Sequence, residues 1–180
     1  MPRKKRKERL TGVGCRIGAM SSIGPGVLWA FGFRFDVTVG GRAIRVLNVI
    51  DGFTRECPAI EVGHRLDADD VVAVLGRLAA IHGAPDYLRF DSGGGFIAAA
   101  VADWCRFNGV DTIFIDRGSA WQNAWIGSFN GELRDELLDL WQFDSLLEAK
   151  VLIEDHRIGY SIIRPHTAHG DLTPTEFAER

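Results

Sequence analysis

From residue 29 onward the apolar and polar positions of this chain change period several times, and each change predicts an element. Phe31, Phe33 and Phe35 alternate with Gly32, Arg34 and Asp36, and Val37 to Val39 continues the β-prone run, the period-two pattern of a half-buried strand. Gly40-Gly41 predicts a two-residue hairpin turn, with residues 43–50 as the returning strand and 59–62 as a short third strand. Asp67 opens a helix in which Val71, Val72, Leu75, Leu78, Ala79 and Ile81 recur at helical spacing, and Gly83 with Pro85 closes it. Residues 87–90 predict a fourth strand that delivers Asp91 at its C-terminal end. A helix over 98–107, a strand over 112–115 and helices over 123–138 and 146–160 complete the pattern. Periodicity alone defines an α/β domain and no particular fold.

Composition narrows the class. The 180 residues suit one domain, and 46% apolar with 25% charged residues is the balance of a soluble globular protein. No apolar run approaches the roughly 20 residues of a membrane helix, and the basic N-terminus leads into no apolar segment, so neither an anchor nor a signal peptide is expected and a cytoplasmic location is. Cys15, Cys57 and Cys105 are odd in number and widely spaced, which predicts buried thiols. Charge divides the chain: the first 16 residues carry a net +6, leaving about −9 on the rest. Residues 1–28 therefore read as a basic arm, with Lys4, Lys5, Arg6 and Lys7 at its centre, and a Gly, Ser and Pro-rich linker. Residues 29–180 read as the folded domain. Such an arm either releases counterions from a phosphate backbone or remains a solvated tail.

Four stretches carry more specific information: Val46-Leu47-Asn48-Val49-Ile50-Asp51-Gly52-Phe53-Thr54-Arg55-Glu56-Cys57; Arg89-Phe90-Asp91-Ser92-Gly93-Gly94-Gly95-Phe96; Gln122 to Gly131 running into Glu132-Leu133-Arg134-Asp135-Glu136; and a tail motif from Arg164 to Phe177. In order and spacing, from about Trp29 to Arg180, they resemble the integrase-type catalytic core of bacterial insertion-sequence transposases, the DDE superfamily that includes retroviral integrases. The resemblance implies an RNase H-like α/β fold, with a mixed five-stranded sheet and helices on both faces. It implies metal-dependent DNA cleavage and strand transfer with Mg²⁺ or Mn²⁺, DNA partners in the form of transposon ends and target, and a homo-oligomer or a mixed oligomer with intact transposase. The sequence-reading part that such transposases carry ahead of the core is not expected within these 180 residues.

Phosphodiester transfer by two divalent ions about 4 Å apart needs hard oxygen ligands, supplied by carboxylates on separate elements. Carried onto this sequence, the family's first Asp falls on Gly32, its second on Asp91, and its Glu, 36 positions later, on Gly127. Glycine offers no ligand, and losing even one carboxylate should cost several orders of magnitude in rate. Asp91 is the surviving carboxylate and metal ligand. Asp36 is about 13 Å along the strand from Gly32, and Asp135 and Glu136 lie about 12 Å from Gly127 along its helix, too far to substitute. Asp51 is the remaining substitute, because a two-residue turn would pair Gly32 with Val49 and bring Asp51 to the same face, about 7 Å away. A one-residue shift of register would send it to the other face. The acid usual after Asp51 is Gly52 here, and the Asn-Gly-Pro-Glu-Phe of the family is Ser92-Gly93-Gly94-Gly95-Phe96. Gln122, Asn123, Ser128 and Asn130 are expected to face DNA, and Arg164 and His166 either meet a DNA backbone or brace the last helix. His156 and His169 read as surface or tail residues, and metal binding by them is not expected. The expectation is a transposase core impaired in catalysis; the alternative is a non-catalytic module that binds DNA or transposase subunits and acts as an inhibitor or a decayed remnant.

Overall fold

The computed structural model describes residues 24–91, 95–115 and 124–180. Strands β1 (Leu28–Val37), β2 (Ala43–Asp51) and β3 (Ala59–Gly63) form an antiparallel meander. β4 (Tyr87–Asp91) joins β1 in parallel, and β5 (Asp111–Ile115) joins β4 in parallel. The five-stranded sheet has the order β3-β2-β1-β4-β5, so β1 lies at its centre. Helices α1 (Ala68–His82) and α2 (Gly95–Asn108) supply the crossovers, and α3 (Ala124–Leu133) and α4 (Leu146–Ile158) follow β5, each running on into a π-helical turn, Arg134–Leu138 and Gly159–Ile163. A short α5 (Pro174–Ala178) closes the chain. The local signals act where expected: Asp67 and Asp70 form a capping box at the start of α1, and Gly83, at φ 82°, ends it.

Alternation along the strands separates two cores. Trp29, Phe31, Leu47, Val49, Leu88 and Phe90 point to one face and pack with α1 and α2, where the rings of Phe31 and Phe90 stack at 5.1 Å. Ile44, Val46 and Ile50 point to the other, against Phe129 and Leu133 of α3 and Ala149 and Ile153 of α4. Burial of these side chains on both faces of the sheet is what holds α3 against β1 and β2.

The hairpin corrects the expected register. Val37 pairs with Ala43, Thr38 N donates to Arg42 O, and Val39-Gly40-Gly41 forms a three-residue loop with Gly41 at φ 79°. The left-handed last position is what such a loop requires. Gly32 therefore pairs with Asn48 and Asp51 with Trp29. Because successive side chains alternate between faces, this single step puts Asp51 on the α1 and α2 face, opposite to that of Gly32.

Candidate functional site

β1 and β4 bring two of the family positions level. Leu28 pairs with Tyr87, Trp29 with Leu88 and Ala30 with Arg89, and two residues further along these parallel strands lie Gly32 and Asp91, the last residue of β4. α3 crosses the same place. A Cβ at Gly32 would stand 3.2 Å from Ile126 Cγ1 and 3.4 Å from Asn130 Nδ2, so the helix already fills the space beside β1. Gly127 follows Ile126, is exposed, and would direct a side chain into open space. The backbone thus brings Gly32 level with Asp91 and α3 against Gly32.

The polar residues around this point divide by burial. Asn130 is 6% exposed and its Oδ1 accepts from Asn48 Nδ2 at 2.5 Å, which makes it a tie between α3 and β2 rather than an outward-facing group. Ser128 is exposed. Arg164 donates to Glu132 and, at 2.5 Å, to Glu136, so its guanidinium braces the tail against α3 and the turn that follows. His166 packs edge-on against Tyr160, with ring centres 4.7 Å apart. Two residues expected at the surface or in the tail are turned inward. His169 is buried, stacked on Phe177 at 4.0 Å and bonded to Thr54 O, and His156 lies against Phe129 with its side chain 10% exposed. Lys4, Lys5, Arg6, Lys7, Gln122 and Asn123 lie outside the described residues.

Asp51 has a structural task where it stands. Its Oδ2 accepts from Gly26 N at 2.7 Å, and its Oδ1 from Phe53 N and Thr54 N at 2.9 Å, organising the entry to β1 and the turn after β2. A carboxylate occupied by three backbone donors on the far face does not replace one at Gly32. Among the described residues no group of three or more His, Cys, Asp and Glu side chains is placed to hold a metal ion. Gly32 and Gly127, where the resemblance puts two of the three carboxylates, offer no oxygen to a two-metal centre, which requires carboxylate oxygens from separate elements.

Sequence reasoning missed one cluster. The guanidinium carbons of Arg55 and Arg89 lie 4.4 and 4.5 Å from the centre of the Trp125 ring, at the start of α3. Burial pulls both arginines down to about 10; Tyr160 and Asp51 oppose this at Arg55, while Arg55 adds to it at Arg89. A Cβ on Gly52 would stand 2.9 Å from the same ring. The available signal was Arg89 between the apolar Leu88 and Phe90, a cation in a strand whose neighbours are buried.

A sheet of order β3-β2-β1-β4-β5, with three antiparallel strands, two parallel ones and helices on both faces, defines a mixed α/β scaffold with the candidate residues at the strand ends. Residues 25–120 and 108–174 match models of the integrase core domain, and the chain belongs to that family. It is 38% identical, over 97% of its length, to an uncharacterized 39.2 kDa protein of insertion element IS476 from Xanthomonas euvesicatoria. It is also 38% identical, over 87%, to a 31.7 kDa protein of insertion element IS407 from Burkholderia multivorans. It covers 51% and 56% of these proteins, about half the length of the curated relatives it matches. Among solved structures it is similar to a chain of the simian T-cell lymphotropic virus intasome in complex with PP2A regulatory subunit B56 gamma (TM-score 0.71, 13% identity, 88% of this chain and 56% of that one). It is similar too to the HTLV-2 integrase catalytic core domain in complex with magnesium, in its dimeric form (0.62, 12%, 87% and 99%). At these identities the likeness establishes the RNase H-like fold.

Proposed function

We propose that this chain is the core of a DNA transposase whose own cutting and joining chemistry is impaired. The observation that carries the reading is that Gly32 and Gly127 stand at two of the family's three carboxylate positions, with Gly32 level with Asp91 on the neighbouring strand. Ile126 and Asn130 already crowd the Gly32 side, and Asp51 serves the opposite face. The family relation and the insertion-element relatives support DNA as the substrate, with transposon ends and target as its two forms. Ser128 on α3 and the basic arm are its proposed contacts, together with Gln122 and Asn123. Asn130, Arg164 and His166 act by holding α3 and the tail in place. Asp91 alone would bind Mg²⁺ weakly.

Strand transfer on labelled duplex ends, in Mg²⁺ or Mn²⁺, tests this. The chain should give no joined product, and Gly32→Asp combined with Gly127→Glu should raise product above that background. Joining by the unaltered chain that Asp91→Ala abolishes would overturn the reading.

A second reading, a module that pairs with intact transposase subunits and inhibits them, is favoured by the outer face of α4 and its continuation. Leu147, Val151, Ile162 and Ile163 are 52% to 71% exposed there. Contiguous apolar surface of this kind marks interaction sites. Titrating the chain into an active transposase should then lower joining in proportion to mixed oligomer; undiminished activity at excess would remove this reading.

A further inference from the structure

The turn after β2 presents a cation that the cutting and joining chemistry does not use. Asp51 Oδ1 accepts from Phe53 N and Thr54 N, and Asp51 O accepts from Arg55 N. This turn holds Arg55 at φ 64°, a left-handed conformation that side-chain-bearing residues seldom adopt. The half-buried side chain lies over the Trp125 ring. No carboxylate among the described residues stands within ion-pair distance of it, and its Nη1 is buried without an acceptor. Asp51, the nearest influential acid, already serves three backbone donors. Even pulled down to about 10, Arg55 is charged at neutral pH.

Position 52 supplies the rest of the argument. The resemblance puts an acid there, and here a Cβ at Gly52 would reach within 2.9 Å of the ring that both arginines flank. At that distance from the ring, and 3.2 Å from Leu28 O, a side chain at position 52 would displace Trp125, so glycine is what lets the ring lie under Arg55. Glycine at 52 also offers Arg55 no carboxylate, and an anion from outside the chain can take that place. A guanidinium is the side chain best matched to phosphate oxygens, and partial burial strengthens that attraction relative to an exposed cation.

We propose that Arg55, braced on Trp125, grips a DNA phosphate directly, so that this chain holds a DNA backbone without a metal ion. The inference rests on the reading of the chain as DNA-binding. It assigns a contact to a turn outside the three carboxylate positions carried over at Gly32, Asp91 and Gly127.

Fluorescence anisotropy of a labelled duplex with the full chain, at several salt concentrations and in EDTA or Mg²⁺, tests it. Binding should persist in EDTA, with Mg²⁺ weakening it only as a competing counterion. Arg55→Gln should weaken it roughly five- to tenfold and reduce the salt slope by about one, the signature of one lost phosphate contact, while Arg55→Lys should restore the slope. Binding that requires Mg²⁺, or an Arg55→Gln variant with unchanged slope, overturns the proposal and leaves DNA binding standing. No binding of the unaltered chain overturns the reading beneath it as well. Phenylglyoxal modification of the unaltered chain gives an answer independent of any variant's folding: duplex should protect Arg55, and equal modification with and without duplex refutes the contact.

Discussion

At the scale of single residues, the amide pair between β2 and α3 sets the depth of the helix over the sheet. Asn48 and Asn130 are both buried, and Asn130 Nδ2 is the nearest polar atom to the Cβ that a residue larger than glycine would carry at position 32. Asn130→Leu removes the acceptor of the Asn48 amide and leaves a buried donor unsatisfied, which costs about 1–3 kcal/mol. Urea denaturation should show that loss as a lower midpoint with unchanged slope, and an unchanged midpoint would show the pair to be energetically idle. Cys57 and Cys105, expected as buried thiols, are buried and free, and burial raises them to about 12 and 11. Both have charged sequence neighbours, Arg55-Glu56 before Cys57 and Arg106 after Cys105, and their burial comes from packing in the two cores on either face of the sheet.

At the scale of elements, α4 and the tail are held to α3 by a mixed network. Arg164 bridges Glu132 and Glu136, Glu136 lies 3.9 Å from His156 Nδ1, and His156 packs on Phe129. Arg164 holds Glu136 below the ordinary carboxylate range, and burial holds His156 below the ordinary imidazole range, with Arg164 adding to the effect and Glu136 and Glu132 opposing it. A histidine depressed in the folded state is neutral in both states above its unfolded pKa of about 6.5, so its stability contribution is complete there. As pH falls below that value only the unfolded chain takes up the proton, and stability is lost until the folded pKa is reached. His169 is depressed in the same direction, chiefly by burial. Urea midpoints should therefore fall between pH 7.5 and pH 5. His156→Phe should make the fall shallower; a variant with the same pH dependence would exclude His156 as its source. None of this network is visible in sequence, because Glu132, Glu136, His156 and Arg164 look like ordinary solvated charges until the helices meet.

At the scale of the whole molecule, charge and apolar surface are unevenly distributed. The net +6 of the first 16 residues faces a remainder of about −9, so DNA affinity in the proposed function should depend on the arm. Deleting residues 1–9 should weaken duplex binding and flatten its salt dependence, and binding unchanged by the deletion would assign affinity to the folded domain alone. No helix among the described residues is long and apolar enough to cross a membrane. Strand and helix positions, the cap at Asp67, the stop at Gly83 and the spacing that marks the integrase core were all legible along the chain. Each depends on neighbours a few residues apart or on the order of motifs. What needed the folded molecule was the hairpin register, because loops of two and three residues both accommodate Gly40-Gly41, and the difference moves every side chain of one strand to the other face. That difference turned Asp51 from a substitute ligand into the anchor of a turn. The pairing of Asn130 with Asn48, the inward turn of His169 and the two arginines on Trp125 join residues far apart in sequence. Contacts of that kind are set by packing between elements, which local periodicity does not encode.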